Sequence, residues 1–486
     1  MLIRTTLFTK AFTISFTFSS VILLSACSGF SPNIPSAINQ STTKPNIAPS
    51  YGNPVNSIAN NTNTKLKSTQ IKLVKDGLDQ FSNTALSTAI AQAMLENHNI
   101  KEQQAILEQA VQQQIITEAD QGFTLSLAST NSIRANSGDS STKNFDLALQ
   151  GSFTPDIWGA LNAQTKAAHL QVAQAKANLE RARQQLIADI TSAWYQLIYN
   201  QKLYALVLAQ QNNTQAQLAA IESSYNQGLS QSLDVYLARG NLDEARSNTT
   251  ARQQALSIAS RSLELLLAAY PTGKLIIDGN LALLNDNYSL GIPADLLQNR
   301  ADLNSRWLAI LAQDATVANR YAAQFPQLNL TGNLSLTSAN LTDLFKQNIA
   351  WTLLANINQT LFDNGKKKAL YKQAQAKLIE REQQYLQALQ NAFSEVENLL
   401  ADQRSINKQW QLNQRALKNA ELSYEQVNVQ YQNGIANYQQ VLNIQQQLFA
   451  KQRLQLDFNI QLINNRINLL LALGTKEQKE TIKESN

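Results

Sequence analysis

Tyr225-Asn226-Gln227-Gly228-Leu229 returns as Tyr431-Gln432-Asn433-Gly434-Ile435, 206 residues further along the chain. The same offset carries Gly159 onto Gly365 and Asp189-Ile190 onto Glu395-Val396. One offset held from Gly159 to Gly228 means two ungapped copies of a long element. Towards the ends it drifts: Leu265-Leu266-Leu267-Ala268 meets Leu469-Leu470-Leu471-Ala472 at 204, and Phe123 meets Phe325 at 202. The copies run roughly from Asn83 to Tyr270 and from Pro293 to Gly474.

Within a copy the hydrophobic period changes. Leu328, Leu330, Gly332, Leu334 and Leu336 alternate with polar residues, as do Ile349, Trp351, Leu353, Ala355 and Ile357. The first copy has Phe123, Leu125 and Leu127, then Phe145, Leu147, Leu149, Gly151 and Phe153. Period two over about ten residues is the weak signature of a membrane β-strand. Beyond the strands the period lengthens to seven. Leu378, Tyr385, Ala392 and Leu399 keep it, with Ile379, Leu386, Phe393 and Leu400 beside them, and so do Leu442, Phe449, Leu456, Ile463 and Leu470. A sustained heptad imposes left-handed supercoiling. From Gly159 to Tyr225 a continuous helix would span roughly 100 Å. Each copy therefore reads helix, strand pair, long helix, turn, long helix.

Proline placement agrees. Of nine prolines, Pro32, Pro35, Pro45, Pro49 and Pro54 lie near the N-terminus, leaving only Pro155, Pro271, Pro293 and Pro326 to mark joints. Proline breaks helix interiors, so the rest is free to form very long helices. Four strands cannot close a membrane barrel, and open edges are not tolerated in lipid. The strands must be pooled between subunits, and composition alone does not choose three chains over two or four. Three would give twelve strands, wide enough that side chains no longer fill the barrel.

Met1 to Phe30 reads as a secretion signal: Arg4 and Lys10 are basic, Ala11 to Leu24 is largely apolar, and no acid precedes Cys27. Leu24-Ser25-Ala26-Cys27 resembles the bacterial lipobox, which predicts cleavage before Cys27 and acylation of it. Ser28 rather than Asp follows, which by lipoprotein habit points to the outer membrane. Cys27 is the only cysteine, so disulfides within the chain and thiolate metal clusters are excluded. Ser28 to Asn63 is rich in Ser, Asn, Thr and Pro and reads as a flexible tether. The expected organisation is a signal peptide over 1–26, a lipidated tether over 27–63, a first repeat over 64–270, a connection over 271–292, a second repeat over 293–474 and a polar tail over 475–486.

The net charge of +5 falls to +3 once Arg4 and Lys10 leave, and no basic groove is apparent, so nucleic-acid binding is not expected. After Cys27 no run long enough for a membrane-spanning helix occurs.

The stretch Gly291-Ile292-Pro293-Ala294-Asp295-Leu296-Leu297-Gln298-Asn299-Arg300-Ala301-Asp302-Leu303, followed by Phe325-Pro326-Gln327-Leu328-Asn329-Leu330-Thr331-Gly332, is similar to motifs of the TolC-like outer-membrane factors, in their lipoprotein branch. Ala301 replaces the usual Pro, and Trp307 stands where the family often has Glu. The resemblance covers Cys27 to about Gly474. It implies a homotrimer whose twelve strands form an outer-membrane β-barrel and whose long antiparallel coiled-coil helices form a periplasmic α-barrel. It implies a passive exit duct for small molecules such as drugs, docked to a periplasmic adaptor and an inner-membrane efflux pump. The duct hydrolyses nothing and needs no cofactor. A duct for type I protein secretion shares this fold. From other classes, a lipid-anchored coiled-coil rod and a cell-wall enzyme are rivals. The rod does not explain two strand pairs at matching places, and the enzyme lacks a convergent catalytic set.

The two Tyr-x-x-Gly segments stand where one long helix must reverse into the next. Gly228 and Gly434 supply a backbone conformation other residues resist. The resemblance places Tyr225, Gly228, Leu229, Ser230, Asp234, Tyr431, Gly434, Ile435, Gln440 and Asn443 at the periplasmic tip and gate. Related ducts carry carboxylates after the second turn, where this chain has the amides Gln440 and Asn443; Asp234 is the first-copy acid aligned with Gln440. Elsewhere, His98 is expected at a helix start with Asn99 and Asp302 as caps, and His169 on a solvated face. Trp158 and Trp351 are candidates for aromatic girdles or ordinary packing. Lys366-Lys367-Lys368 reads as a charged helix start or as a group near lipid headgroups. No metal-ligand cluster, nucleophile elbow or phosphate loop is present.

Overall fold

The computed structural model describes residues 81, 84–135, 142–281 and 299–474. Cys27 with its lipobox, the signal, the tether, the tail and the Gly291–Gln298 part of the motif lie outside the described residues. The elements are α1 (Thr84–Glu96), α2 (His98–Ala119), β1 (Thr124–Arg134), β2 (Thr142–Phe153), α3 (Ala160–Asn226), α4 (Ser232–Leu266), α5 (Ala301–Ala322), β3 (Gln327–Ser338), β4 (Ala350–Asn358), α6 (Lys366–Gln432) and α7 (Tyr438–Leu473). A 3-10 turn, Leu341–Lys346, joins β3 to β4.

The repeat is visible in the lengths. α2 and α5 have 22 residues each, α3 and α6 have 67 each, and α4 and α7 have 35 and 36. The long helices start after Gly159 and Gly365, both in the left-handed region. Asp156 Oδ2 accepts from the Asn162 N–H at 2.7 Å, and Asp363 Oδ2 from the Lys367 N–H at 2.9 Å, so each start is capped by an upstream acid.

The expected caps Asn99 and Asp302 are each corrected by two residues. Asn97 caps α2, its side-chain oxygen accepting from the Asn99 and Ile100 N–H groups. Arg300 is the cap residue of α5. His98 does sit in the first turn of α2, as expected. Asn97 Nδ2 also donates to the Leu266 carbonyl, a long-range reason for an amide there.

The strands form one antiparallel sheet in the order β1-β2-β3-β4. The central pairing joins the two copies, with Leu149 opposite Leu334 and Gly151 opposite Gly332. Residues directly opposite share a face. Leu125, Leu127, Leu147, Leu149, Leu328, Leu334, Trp351, Leu353 and Ile357 therefore all lie on one face. The other face carries mainly Thr, Ser, Asn and Gln, with Asp146, Arg134 and Leu354 among them. Phe123, just before β1, lays its ring over Gly151, filling the space a side chain would need.

The helical core surrounds the middle of α3. Ile190, Leu197, Leu263, Ile463 and Ile467 are at most 2% exposed there. Of the heptad positions in α6, Leu378, Ala392 and Leu400 are buried, whereas Ile379 is 58% exposed. The second apolar register is thus only partly covered within one chain. Among the described residues no helix is long and apolar enough to cross a membrane.

Candidate functional site

At the end of the long helices furthest from the sheet, both turns have one geometry. The Gly228 N–H donates to the Tyr225 carbonyl at 2.9 Å and the Leu229 N–H to the Ser224 carbonyl at 2.9 Å. In the second copy the Gly434 N–H donates to Tyr431 at 3.0 Å and the Ile435 N–H to Gln430 at 2.8 Å. These paired bonds satisfy the last carbonyls of each helix and require a left-handed residue. Gly228 supplies it at φ 75° and Gly434 at φ 71°. The apolar residues that follow fold back on nothing: Leu229 is 77% exposed and Ile435 76%. The next helices then start differently. α7 opens with a reciprocal capping box, in which the Gln440 N–H donates to Asn437 Oδ1 and the Asn437 N–H to Gln440 Oε1, each at 2.9 Å. α4 lacks a side-chain cap but carries Asp234 in its first turn, complementing the helix dipole.

The two tips pack on each other within one chain. Ile221 of α3, Val235 and Ala238 of α4, Val427 of α6, and Tyr438, Val441 and Leu442 of α7 form one buried cluster. Tyr431 and Tyr438 meet with ring centroids 5.9 Å apart. Burial, and to a smaller degree the charge of Asp234, push the Tyr431 phenol up, while a hydrogen bond with Ser230 opposes that. Burial also pushes the Tyr438 phenol strongly up, with Asp234 adding a smaller part. Both phenols therefore stay neutral. Ser230, Asp234 and Tyr431 are thus brought together across the copies. Gln440 and Asn443 are exposed within one chain and line a groove with Leu422, Gln426 and Gln430 of α6. Gln440 spends its side-chain oxygen on the capping box, and Asn443 Oδ1 accepts from Gln439 Nε2 at 3.2 Å.

Tyr438 was not singled out in the sequence reading, although it is 2% exposed and central to this joint. Deeper in, Gln217 Nε2 donates to the Tyr424 hydroxyl at 2.6 Å and Gln445 Nε2 to Gln217 Oε1 at 3.0 Å. That network ties α3, α6 and α7. Its only sequence signal was the seven-residue step from Tyr438 to Gln445, which puts a polar residue on a buried stripe.

The other candidates separate cleanly. His169 Nε2 lies 3.0 Å from Glu118 Oε1, on an exposed surface as expected. Trp158 donates through Nε1 to the Pro326 carbonyl at 2.6 Å and stacks on Phe325, so it packs. Trp351 is 74% exposed on the apolar face of the sheet. Among the described residues no group of three or more His, Cys, Asp or Glu could hold a metal ion.

A sequence profile described as Outer membrane efflux protein matches residues 89–269 and 292–475. The Cation efflux system protein CusC of Escherichia coli O6:H1 is 28% identical over 404 residues, covering 81% of this chain and 86% of CusC. The Probable outer membrane lipoprotein SilC of Salmonella typhimurium is 27% identical over 402 residues, covering 81% and 86%. A crystal structure of CusC superposes with a TM-score of 0.76 at 25% identity, covering 88% of this chain and 99% of that one.

Proposed function

The chain belongs to the outer membrane efflux protein family and is an efflux channel of the outer membrane; from that premise we propose that it works as a lipid-anchored homotrimer, a passive exit duct rather than an enzyme. The carrying observation is the sheet. Its four strands put nearly all their large apolar residues on one face and leave an unpaired edge on β1 and on β4 among the described residues. An apolar face suits lipid, but open edges do not. Three copies joined edge to edge close a twelve-stranded barrel with the polar face inward, and cyclic symmetry is the ordinary way to do so.

Cys27 is the proposed acylation site, in keeping with the name lipoprotein given to SilC. The exposed Leu229 and Ile435 at the two turns suit docking of a periplasmic adaptor, which hands on cargo from an inner-membrane pump. Ser230, Asp234, Tyr431 and the packed tip cluster hold the mouth narrow. The CusC relative is named for cation efflux. In this chain selection of cargo is assigned to the pump, because a duct lined by hydroxyls and amides has little with which to discriminate.

Cross-linking of the full chain in detergent, followed by conductance in planar bilayers, tests the reading. A trimer giving discrete conductance steps is expected. A monomer that never conducts overturns it. Palmitate labelling that survives Cys27→Ala overturns the anchor alone.

A further inference from the structure

Below β4 the chain reads Leu361-Phe362-Asp363-Asn364-Gly365-Lys366-Lys367-Lys368. Leu361 is 93% exposed and Phe362 83%, continuing an apolar series in which Ile357 of β4 is 75% exposed. Lys366 and Lys368 are exposed and Lys367 half-buried, all in the first turn of α6. Cations are disfavoured there, because a helix N-terminus carries partial positive charge. The nearby acid spends its oxygens mainly on the backbone and adds a smaller charge attraction to Lys367. Asp363 Oδ1 accepts from the Gly365 N–H and Oδ2 from the Lys367 N–H, both at 2.9 Å. Among the described residues no ion pair reaches any of the three lysines.

The repeat supplies an internal control. The same offset of 206 places Ala160, Leu161 and Asn162 at the start of α3. That start also has an upstream acid on its backbone and leads into a helix of the same 67 residues. The fold therefore needs the acid cap but not the lysines. A costly charge that the fold does not require calls for an outside partner of opposite sign.

We infer that Leu361, Phe362 and Lys366 to Lys368 form a docking surface for anionic phospholipid at the periplasmic face of the membrane, an inference that rests on the channel reading of the sheet. The aromatic ring sits at headgroup level, and lysine stems reach along the apolar boundary to put their ammonium groups on phosphates. Screening confines the attraction to roughly 8 Å at physiological salt, so only cations at the surface contribute. In a trimer three such patches alternate with the neutral starts of α3 around the foot of the barrel.

The test offers phosphatidylglycerol and phosphatidylethanolamine in equal amounts to the purified full chain and weighs the retained lipid by native mass spectrometry. Wild type should retain phosphatidylglycerol preferentially. Joint replacement Lys366→Gln, Lys367→Gln, Lys368→Gln should weaken that preference about tenfold or more, since each basic residue near an anionic surface contributes appreciably. Arginine at the three positions should restore it. An unchanged preference in the glutamine variant overturns the inference. If that variant does not assemble, single Lys366→Gln and Lys368→Gln changes at exposed positions should each weaken the preference about threefold, and no change would again overturn it. Efficient cross-linking of Phe362→Cys to a neighbouring protomer would also overturn it, by showing that a second copy covers the surface. Conductance of the same preparations separates the two readings. Lost lipid preference with conductance retained supports this inference, whereas a wild type that never conducts strikes the channel reading.

Discussion

Arg300 Nη1 lies 2.6 Å from Glu395 Oε2, fastening the start of α5 to α6. The same nitrogen donates to the Ala472 carbonyl at the end of α7 at 3.2 Å. Nε and Nη2 grip both oxygens of Asp302 at 3.0 and 2.9 Å. One guanidinium, 5% exposed, thus closes the beginning of the second copy onto its end. Burial works against the Asp302 carboxylate, but the hydrogen bonds and charge of Arg300 outweigh it and hold its pKa below the ordinary carboxylate range.

Arg300→Ala should leave two partly exposed carboxylates without their nearest cation and cost about 1–3 kcal/mol. A second consequence follows from linkage. A carboxylate whose folded pKa is depressed contributes stability above its unfolded value near 3.9, and that stability is lost as pH falls through the folded value. Melting of wild type followed by helical circular dichroism should therefore drop below about pH 4. Asp302→Asn should be less stable at neutral pH and lose part of that acid dependence.

Tyr438→Phe should stabilise. The Tyr438 hydroxyl is buried without a hydrogen-bond partner among the described residues, and an unmet buried polar group costs about 1–3 kcal/mol. The ring itself packs in the tip cluster and is kept by the change. A gain of about 1 kcal/mol, read as slower hydrogen exchange in both tips, is expected. Faster exchange would show that the hydroxyl has a partner in solution.

Asp234 should dominate the ionic response of the mouth. Its charge reaches Tyr431 and Tyr438 in the tip, whereas the aligned Gln440 and nearby Asn443 are amides, which bind divalent ions far more weakly than carboxylates do. In planar bilayers Asp234→Asn should remove most of the divalent-ion dependence, and Asn443→Asp should add to it. An Asp234→Asn channel with unchanged cation selectivity would place Asp234 away from the pore.

Gly228→Ala and Gly434→Ala isolate a backbone cost. Nothing lies within 4 Å of an added Cβ at either position, so only the positive φ is at stake. About 1–2 kcal/mol of local stability should be lost in each case, with Asn tolerated better than Ala. Hydrogen exchange confined to the altered turn would show this. Exchange spreading to the sheet would mean that the turns carry more of the fold than their contacts indicate.

Much of the architecture was legible because it rests on period and repetition. Alternation over Leu328 to Leu336 placed a strand that runs Gln327–Ser338, and Gly159 with Tyr225 bounded a helix that runs Ala160–Asn226. The turns at Gly228 and Gly434 were legible because only a left-handed residue completes that pair of hydrogen bonds. These are local constraints, and local sequence carries them. Tertiary structure alone decided that β2 pairs with β3, joining the copies through Leu149 and Leu334, and that Asn97 and Arg300 rather than Asn99 and Asp302 begin their helices. It alone decided that Tyr438 seals the joint between the tips. Those outcomes depend on partners up to about two hundred residues away. A polar or aromatic side chain has no preference among such partners until packing removes its water and leaves it one group to meet.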